Sequence, residues 1–578
     1  MVNLDLTSLT TAELDSHIGA GEIVVIAGSG ISGWEPTTLP TGQDFSSGVR
    51  DALFLTPGHP VVAPNDITFL EDHLKNVPFE MTMERCPNQI TIGQFLSDLY
   101  SGHSVNEVHK ALGDLAKAGK IHSIITTNYD LGIDTILAGG PLTKIVKQSD
   151  VSTAGSRVYF KIHGCASDPK TMIFSLKQES ELPPWKKAVL SGVIAGRPLV
   201  LIGYSGFDFE ICPELPRCSP TAILWNFYSD ESKESSPGLK HLMRMGVPQF
   251  ALLGDMCKLF SLLGVPVSPT YASGGAYNIG EKLRRCFTNE DLLLWRARVL
   301  VTIGHSRLAL AALKPLLLRS PRDPDFACEY AQALFHNGQY RSSAQQYLVA
   351  ADSAPDERFR LLRQLDACDA LRCFGSYGGA RDILASVNSE LQSMSSVPQD
   401  IVVRALLKEM LLIRNGWHRR KSFLMGLGCR ALRNRAKHII QDAAPRALRE
   451  GLWLDFQQLQ LWADRFELPD DTMSTHGGYV PLSTLDGYRH LGYYIPRLMH
   501  IYDLLYTGSG LVSQDEVENG FDSAAQMGCH PVAWKLARGA AARFHIHVSR
   551  WKDRYKHHLG ACQYTAMQRL TYRVAWSL

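Results

Sequence analysis

With 578 residues, the chain is too long for one ordinary hydrophobic core, which predicts roughly two to four domains. Its composition, 45% hydrophobic and 20% charged, is that of a soluble globular protein, and a net charge of +2 excludes a global attraction to nucleic acid or membrane. No apolar run approaches the roughly 20 residues that span a bilayer, and the start MVNLDLTSLTTAELDSH is too acidic and polar for a secretory signal. The twelve cysteines are scattered with no C-x-x-C, so a cytoplasmic protein with reduced thiols and no bound metal is expected.

The first element is a strand, EIVVIAG (22–28), running into VVIAGSGISG (24–33). Further short runs rich in Val and Ile read as buried strands: IHSIITTN (121–128), RVYFKIHG (157–164), RPLVLIGYS (197–205) and TAILWNFY (221–228). Between them lie stretches at helical spacing such as VNEVHKALGDLAKAG. Strand, helix and strand in succession predict a doubly wound α/β fold with a parallel sheet covered on both faces. Ligands of such sheets bind at the carboxyl ends of the strands, so the polar residues ending each strand are the ones to examine.

After about residue 285 the pattern becomes helical. Leu300 and Leu334, Gly304 and Gly338, and Pro321 and Pro355 each stand 34 residues apart, the tetratricopeptide period, and Leu371, Gly375 and Tyr377 mark a looser copy 37 further on. This predicts helical repeats over 285–390 and a C-terminal helical domain over 391–578, built for sensing or assembly. A basic run holds Arg414, Arg419, Arg420, Lys421, Arg430, Arg433, Arg435, Lys437, Arg446 and Arg449 against the single acid Asp442. A solvated helix face explains it more simply than nucleic-acid binding. His545, His547, His557, His558 and Cys562 have metal-ligand chemistry but fit no zinc spacing.

The glycine stretch fits two patterns: G-x-G-x-x-G through Gly28, Gly30 and Gly33, and G-x-G-x-S through Gly28, Gly30 and Ser32. The first is a dehydrogenase fingerprint and needs a second strand ending in an acid about 20 residues on. WEPTTLPTGQDFSSGVRDALFLTPG offers no such strand. The second finds partners in series: TTNYD (126–130), His163-Gly164, GYSGFD (203–208), Asn226 and Gly254-Asp255.

In this order the motifs resemble the sirtuin superfamily over roughly residues 15–270. The paired C-x-x-C zinc ribbon of sirtuin deacetylases is missing, since the interval after His163-Gly164 holds only Cys165, Cys212 and Cys218. The G-I-P-D-F-R segment is also replaced, by Gly33-Trp34-Glu35-Pro36 and a later LPTG. In these departures the chain is similar to bacterial sirtuin-like proteins of anti-phage defence, which hydrolyse NAD. The fold expected is thus a sirtuin-like, Rossmann-type α/β domain over 1–280 without a zinc ribbon, followed by an all-α helical-repeat part.

The resemblance implies catalytic roles for Asn128, Asp130 and His163. Asn128 would orient water and a ribose hydroxyl, Asp130 would hold the nicotinamide amide or tune the local field, and His163 would act as general base. It implies NAD contacts, with NAD as substrate, from Gly28, Ser29, Gly30, Ile31, Ser32, Thr127, Tyr129, Gly203, Tyr204, Ser205, Asp208, Asn226 and Asp255. Gly28 and Gly30 would bring backbone N–H groups to the pyrophosphate at a helix N-terminus, with the Ser32 hydroxyl beside them. His109 is expected to be structural. The function expected is an NAD hydrolase, homo-oligomeric and held back by its helical half until a protein partner or phage-derived trigger acts. The alternatives are a deacylase or ADP-ribosyltransferase on the same site, and a non-catalytic NAD-sensing protein.

Overall fold

The computed structural model describes residues 1–19, 21–54, 70, 74, 77–179, 182–206, 208, 210–234, 236, 238–242, 246–268, 270, 278–421, 427–450, 452–465, 468, 498–499, 501, 504–505, 512–544 and 548–564. Two compact units divide the chain: Met1–Leu55 with Phe79–Thr288 forms nearly all of one, and Asn289–His476 with Pro481–Leu578 the bulk of the other.

The first unit is built on eight strands, β1 (Val2–Asp5), β2 (Ile23–Ala27), β3 (Ile121–Thr126), β4 (Thr143–Ile145), β5 (Val158–Lys161), β6 (Leu199–Ile202), β7 (Ile223–Phe227) and β8 (Gln249–Leu253). Their order in the sheet is β1-β8-β7-β6-β2-β3-β5-β4, and every neighbouring pair is parallel. Alternation along β2 explains its unbroken apolar sequence. Ile23, Val25 and Ala27 enter one hydrophobic layer, while Val24 and Ile26 enter the layer on the opposite face.

From β2 the chain winds outward through β3 and β5, then crosses back to β6 and winds the other way through β7 to β8. The winding therefore reverses between β2 and β6, where ligands of open α/β sheets bind. Three glycines close that junction. A Cβ on Gly28 would lie 2.5 Å from the Gly203 carbonyl oxygen, one on Gly30 2.8 Å from Gly203 Cα, and one on Gly203, at φ +55°, 2.7 Å from the Ile31 nitrogen.

The segment after β2 corrects one expectation. Gly28 leads into a single 3₁₀ turn, Ser29–Ser32, and the next α-helix, Gly42–Phe54, begins ten residues later, beyond Pro36 and Pro40. No α-helix N-terminus stands at the glycines. The Gly28 and Gly30 N–H groups donate to the Ile202 and Gly203 carbonyls, each at 3.0 Å. These glycines weld two strand ends together. Among the described residues the next strand after β2 is β3, so no acid-bearing second strand follows at the dehydrogenase distance.

The helix Ile279–Cys286 belongs to this unit, packing its Ile279 against Gly48 of Gly42–Phe54.

The second unit is helical. Its first three hairpins pair Asn289–Ile303 with Ser306–Arg319, Pro324–Asn337 with Tyr340–Asp352, and Glu357–Phe374 with Tyr377–Ser393. Gly304, Gly338 and Gly375 sit at the three hairpin bends with φ of +88°, +87° and +96°. The bend demands a left-handed residue once per hairpin, which is why glycine recurs at that period. Small side chains, Ala327, Ala331, Ala344, Ala350, Ala367 and Ala370, let successive helices approach. The helices Gln514–Gln526, His530–Phe544 and Val548–Ala561 lie in the same unit, where the Ser306 hydroxyl reaches the carbonyls of Met527 and Gly528.

Candidate functional site

Two polar clusters stand at the carboxyl ends of the central strands. The first joins Ser32, His109, Asn128 and Asp130, all buried. Asn106 caps the helix Glu107–Lys117, and its backbone N–H donates to His109 Nδ1 at 3.4 Å. Burial lowers the His109 pKa against the pull of Asp130, so the ring is neutral and its one proton sits on Nε2. Nε2 then donates to the Ser32 Oγ at 3.2 Å. Ser32 Oγ also accepts from Asn128 Nδ2 at 3.2 Å and donates to Asp130 Oδ2 at 2.8 Å.

A hydroxyl has one donor and two acceptor sites, and all three are occupied here. Ser32 is thus an internal hub of this cluster, its hydroxyl bonded to His109, Asn128 and Asp130. Asp130 belongs to the same network: its Oδ1 takes the Gly132 N–H at 2.8 Å while Oδ2 takes Ser32. His109, expected only to pack, fixes the hydrogen-bond direction of the whole cluster. That direction gives Asn128 its character. Its Nδ2 is engaged, whereas its buried Oδ1 has no partner among the described residues. A buried carbonyl oxygen without a donor costs about 1–3 kcal/mol, which a ligand hydroxyl or amide would recover.

Lys161, wholly buried at the end of β5, holds this loop from beneath. Its Nζ donates to the carbonyl of Tyr129 at 3.2 Å and to that of Asp130, and pairs with Asp134 at 2.9 Å. Burial would raise the Asp134 pKa, but Lys161 and Lys144 outweigh it and hold the carboxyl below its ordinary value.

The second cluster surrounds His163, two residues beyond β5. Its Nε2 lies 2.8 Å from Glu210 Oε1 and 3.4 Å from Asp208 Oδ1. Burial works to lower the His163 pKa, but the carboxylates of Glu210 and Asp208 prevail and raise it. Burial also raises Asp208 and pushes Glu80, on the helix Phe79–Glu84, up to about 7. Lys186 is drawn down to about 8 by burial against the attraction of Glu210, and its Nζ donates to the Ile162 carbonyl at 2.5 Å. The Ile162 N–H donates to the Thr126 carbonyl, so Asn128 and His163 emerge from adjacent strand ends.

The remaining residues singled out by sequence take varied places. Ser29 and Ser205 are exposed, Thr127 is half-buried with its N–H on the Ala27 carbonyl, and Ile31 is wholly in the core. The Tyr129 hydroxyl donates to the Ile173 carbonyl, and Tyr204 is buried with its hydroxyl 3.3 Å from Cys212 Sγ. Asn226 spends its Nδ2 on the carbonyls of Leu252 and Gly254, each at 3.0 Å, and Asp255 caps the helix Met256–Leu262. Both side chains are tied to the β7–β8 end of the sheet. Sequence reasoning missed Glu80, Lys161 and Glu210. Glu210 alone carried a signal, standing two residues past Asp208 in GYSGFDFE.

In the helical unit, Arg435 pairs with Glu409 and Arg446 with Asp442, while the side chains of 414–430 lie outside the described residues, as do His545 and His547. His558 Nδ1 is 2.9 Å from His530 Nδ1, and burial pushes His558 down to about 4. No helix among the described residues is long and apolar enough to cross a membrane.

Residues 122–212 match the SIR2-like domain family. That segment runs from β3 past β6 and carries Asn128, Asp130, His163, Asp208 and Glu210. No curated protein matches the chain. Among solved structures, a signal transduction ATPase with numerous domains and a tetratricopeptide repeat sensor, from Pyrococcus horikoshii, aligns with 95% of this chain and 88% of its own at 11% identity. Its TM-score of 0.27 is too low to carry an argument about fold or function.

Proposed function

We propose that the α/β unit binds NAD at the carboxyl ends of β2, β3, β5 and β6 and hydrolyses it to nicotinamide and ADP-ribose. SIR2-like domains use NAD, and the matched segment holds Asn128 and Asp130 of the first cluster and His163, Asp208 and Glu210 of the second. The observation that carries the reading is the buried, unpartnered Asn128 Oδ1 on the strand end beside that of His163. An acceptor so placed suits a ribose hydroxyl or the attacking water, which are donors.

In the reaction the bond from the ribose anomeric carbon to the pyridinium nitrogen breaks. The electron pair goes to the ring, leaving neutral nicotinamide and an oxocarbenium-like sugar. Water adds to that carbon and loses one proton. Asn128 positions the water or the ribose hydroxyl, and neutral His163 accepts a proton. The carboxylates of Asp208 and Glu210 counter positive charge developing nearby. Gly28, Gly30 and Gly203 hold the two strand ends at the separation the dinucleotide crosses. Asn128→Ala and His163→Ala should each lower turnover by about 10² to 10⁴ in a folded protein, because each removes one positioned polar group. Near-normal turnover in either would remove that residue from the mechanism.

We further propose that the chain is an anti-phage defence effector acting by NAD depletion, homo-oligomeric, and regulated through its helical unit by a protein or phage-derived trigger. Stacked helical hairpins with recurrent glycine bends support the regulatory reading, because such arrays present extended surfaces for protein contact.

A further inference from the structure

The surroundings of His163 hold more acid than hydrolysis of a glycosidic bond asks for. One ligand-type atom each from His163, Glu179 and Asp208 lies within 4.8 Å of the others. Glu210 adds a fourth group, with Oε1 on His163 and a buried Oε2 that has no partner among the described residues. Glu210 and Glu179 are 4% and 1% exposed, so bulk water does little to offset their charge. The nearby Lys186 spends a donor on the Ile162 carbonyl.

We infer that His163, Glu179 and Asp208, beside the unpartnered Glu210 Oε2, form a binding site for a divalent transition ion such as Mn²⁺ or Zn²⁺. One imidazole nitrogen and several carboxylate oxygens suit such ions better than the all-oxygen shell preferred by Ca²⁺ or Mg²⁺. Metal–ligand bonds of about 2.0–2.2 Å place donors no more than about 4.4 Å apart across the ion. Closing the cluster from its present span thus takes side-chain movements of a few tenths of an ångström. The ligands come from two loops, after β5 and after β6, in no contiguous motif, so sequence spacing could not announce them. Ion and substrate would compete for the same imidazole, making the ion an inhibitor; that consequence, unlike the site, rests on the proposed function.

Mn²⁺ titrated into the full chain and read by electron paramagnetic resonance tests the site. About one tight ion per chain is expected, with nitrogen hyperfine coupling that is lost in His163→Gln and affinity at least about tenfold weaker in Glu179→Gln. Wild-type protein that takes up no ion, or uptake unchanged in both variants, would overturn the inference. Should Glu179→Gln fail to fold, as its melting curve would show, the nitrogen coupling and its loss in His163→Gln decide. NAD turnover measured on the same samples separates the two proposals: an ion bound by a protein that never cleaves NAD leaves the site standing and removes the hydrolase.

Discussion

Lys161→Met offers a sharp test of how the Asn128 loop is held. The substitution keeps the buried aliphatic stem and removes the ammonium that binds the Tyr129 and Asp130 carbonyls and pairs with Asp134. Breaking a buried ion pair from one side costs about 3–5 kcal/mol. Lys144 remains on Asp134, and the Ala166 N–H remains on the Tyr129 carbonyl at 2.9 Å, so the low end, about 3 kcal/mol, is expected. For a unit of this size each kcal/mol shifts the midpoint by about 2–4 °C, giving a fall of about 6–12 °C in the affected calorimetric transition of the full chain. Lys144→Met is the control. Its side chain is 40% exposed, so its pair with Asp134 contributes about 1 kcal/mol or less. Loosening the loop should also lower NAD turnover by about 10²-fold, the scale on which small displacements of positioned groups act. If Lys161→Met melted no earlier than Lys144→Met and kept its turnover, the loop would not depend on Lys161 and this reasoning would fail.

Turnover should rise with pH along a limb set by His163, because the base acts when neutral. Burial pulls its pKa down but Glu210 and Asp208 hold it above the ordinary histidine value, so the limb should lie above the usual range, and Glu210→Gln should move it to lower pH; an unmoved limb would show that another group titrates. Light scattering of the full chain should give a mass that is a multiple of 64.1 kDa, and a monomer at working concentration would remove the homo-oligomer from the account.

The sheet was legible where burial on both faces writes itself as an apolar run. β2, β3, β5, β6 and β7 follow that rule, and all five were expected. The three missed strands break it: β1 is an exposed edge of sequence VNLD, β4 has three residues, and β8 opens on Gln249. The hairpin bends were legible because Gly304, Gly338 and Gly375 answer one backbone demand at a regular interval. Motif order likewise singled out Asn128 and His163. What surrounds them was not legible, because Lys161 reads as one polar residue ending a strand and Glu80 as one acid in a short helix. Their meaning depends on which side chains the topology brings together. Ser32 shows the same limit: its place in the motif did not reveal that His109, Asn128 and Asp130 share its hydroxyl.

The central claim is hydrolysis of NAD at the Asn128–His163 site, and chromatography of the products tests it most directly. Full-length protein incubated with NAD, alone and in extract from phage-challenged cells, should release nicotinamide and ADP-ribose in equal amounts. Asn128→Ala and His163→Ala should each release these products about 10² to 10⁴ times more slowly under the same conditions. Acetylated ADP-ribose formed from an acetyl-peptide, a cyclised main product, or NAD untouched by wild-type protein in both settings would contradict the account.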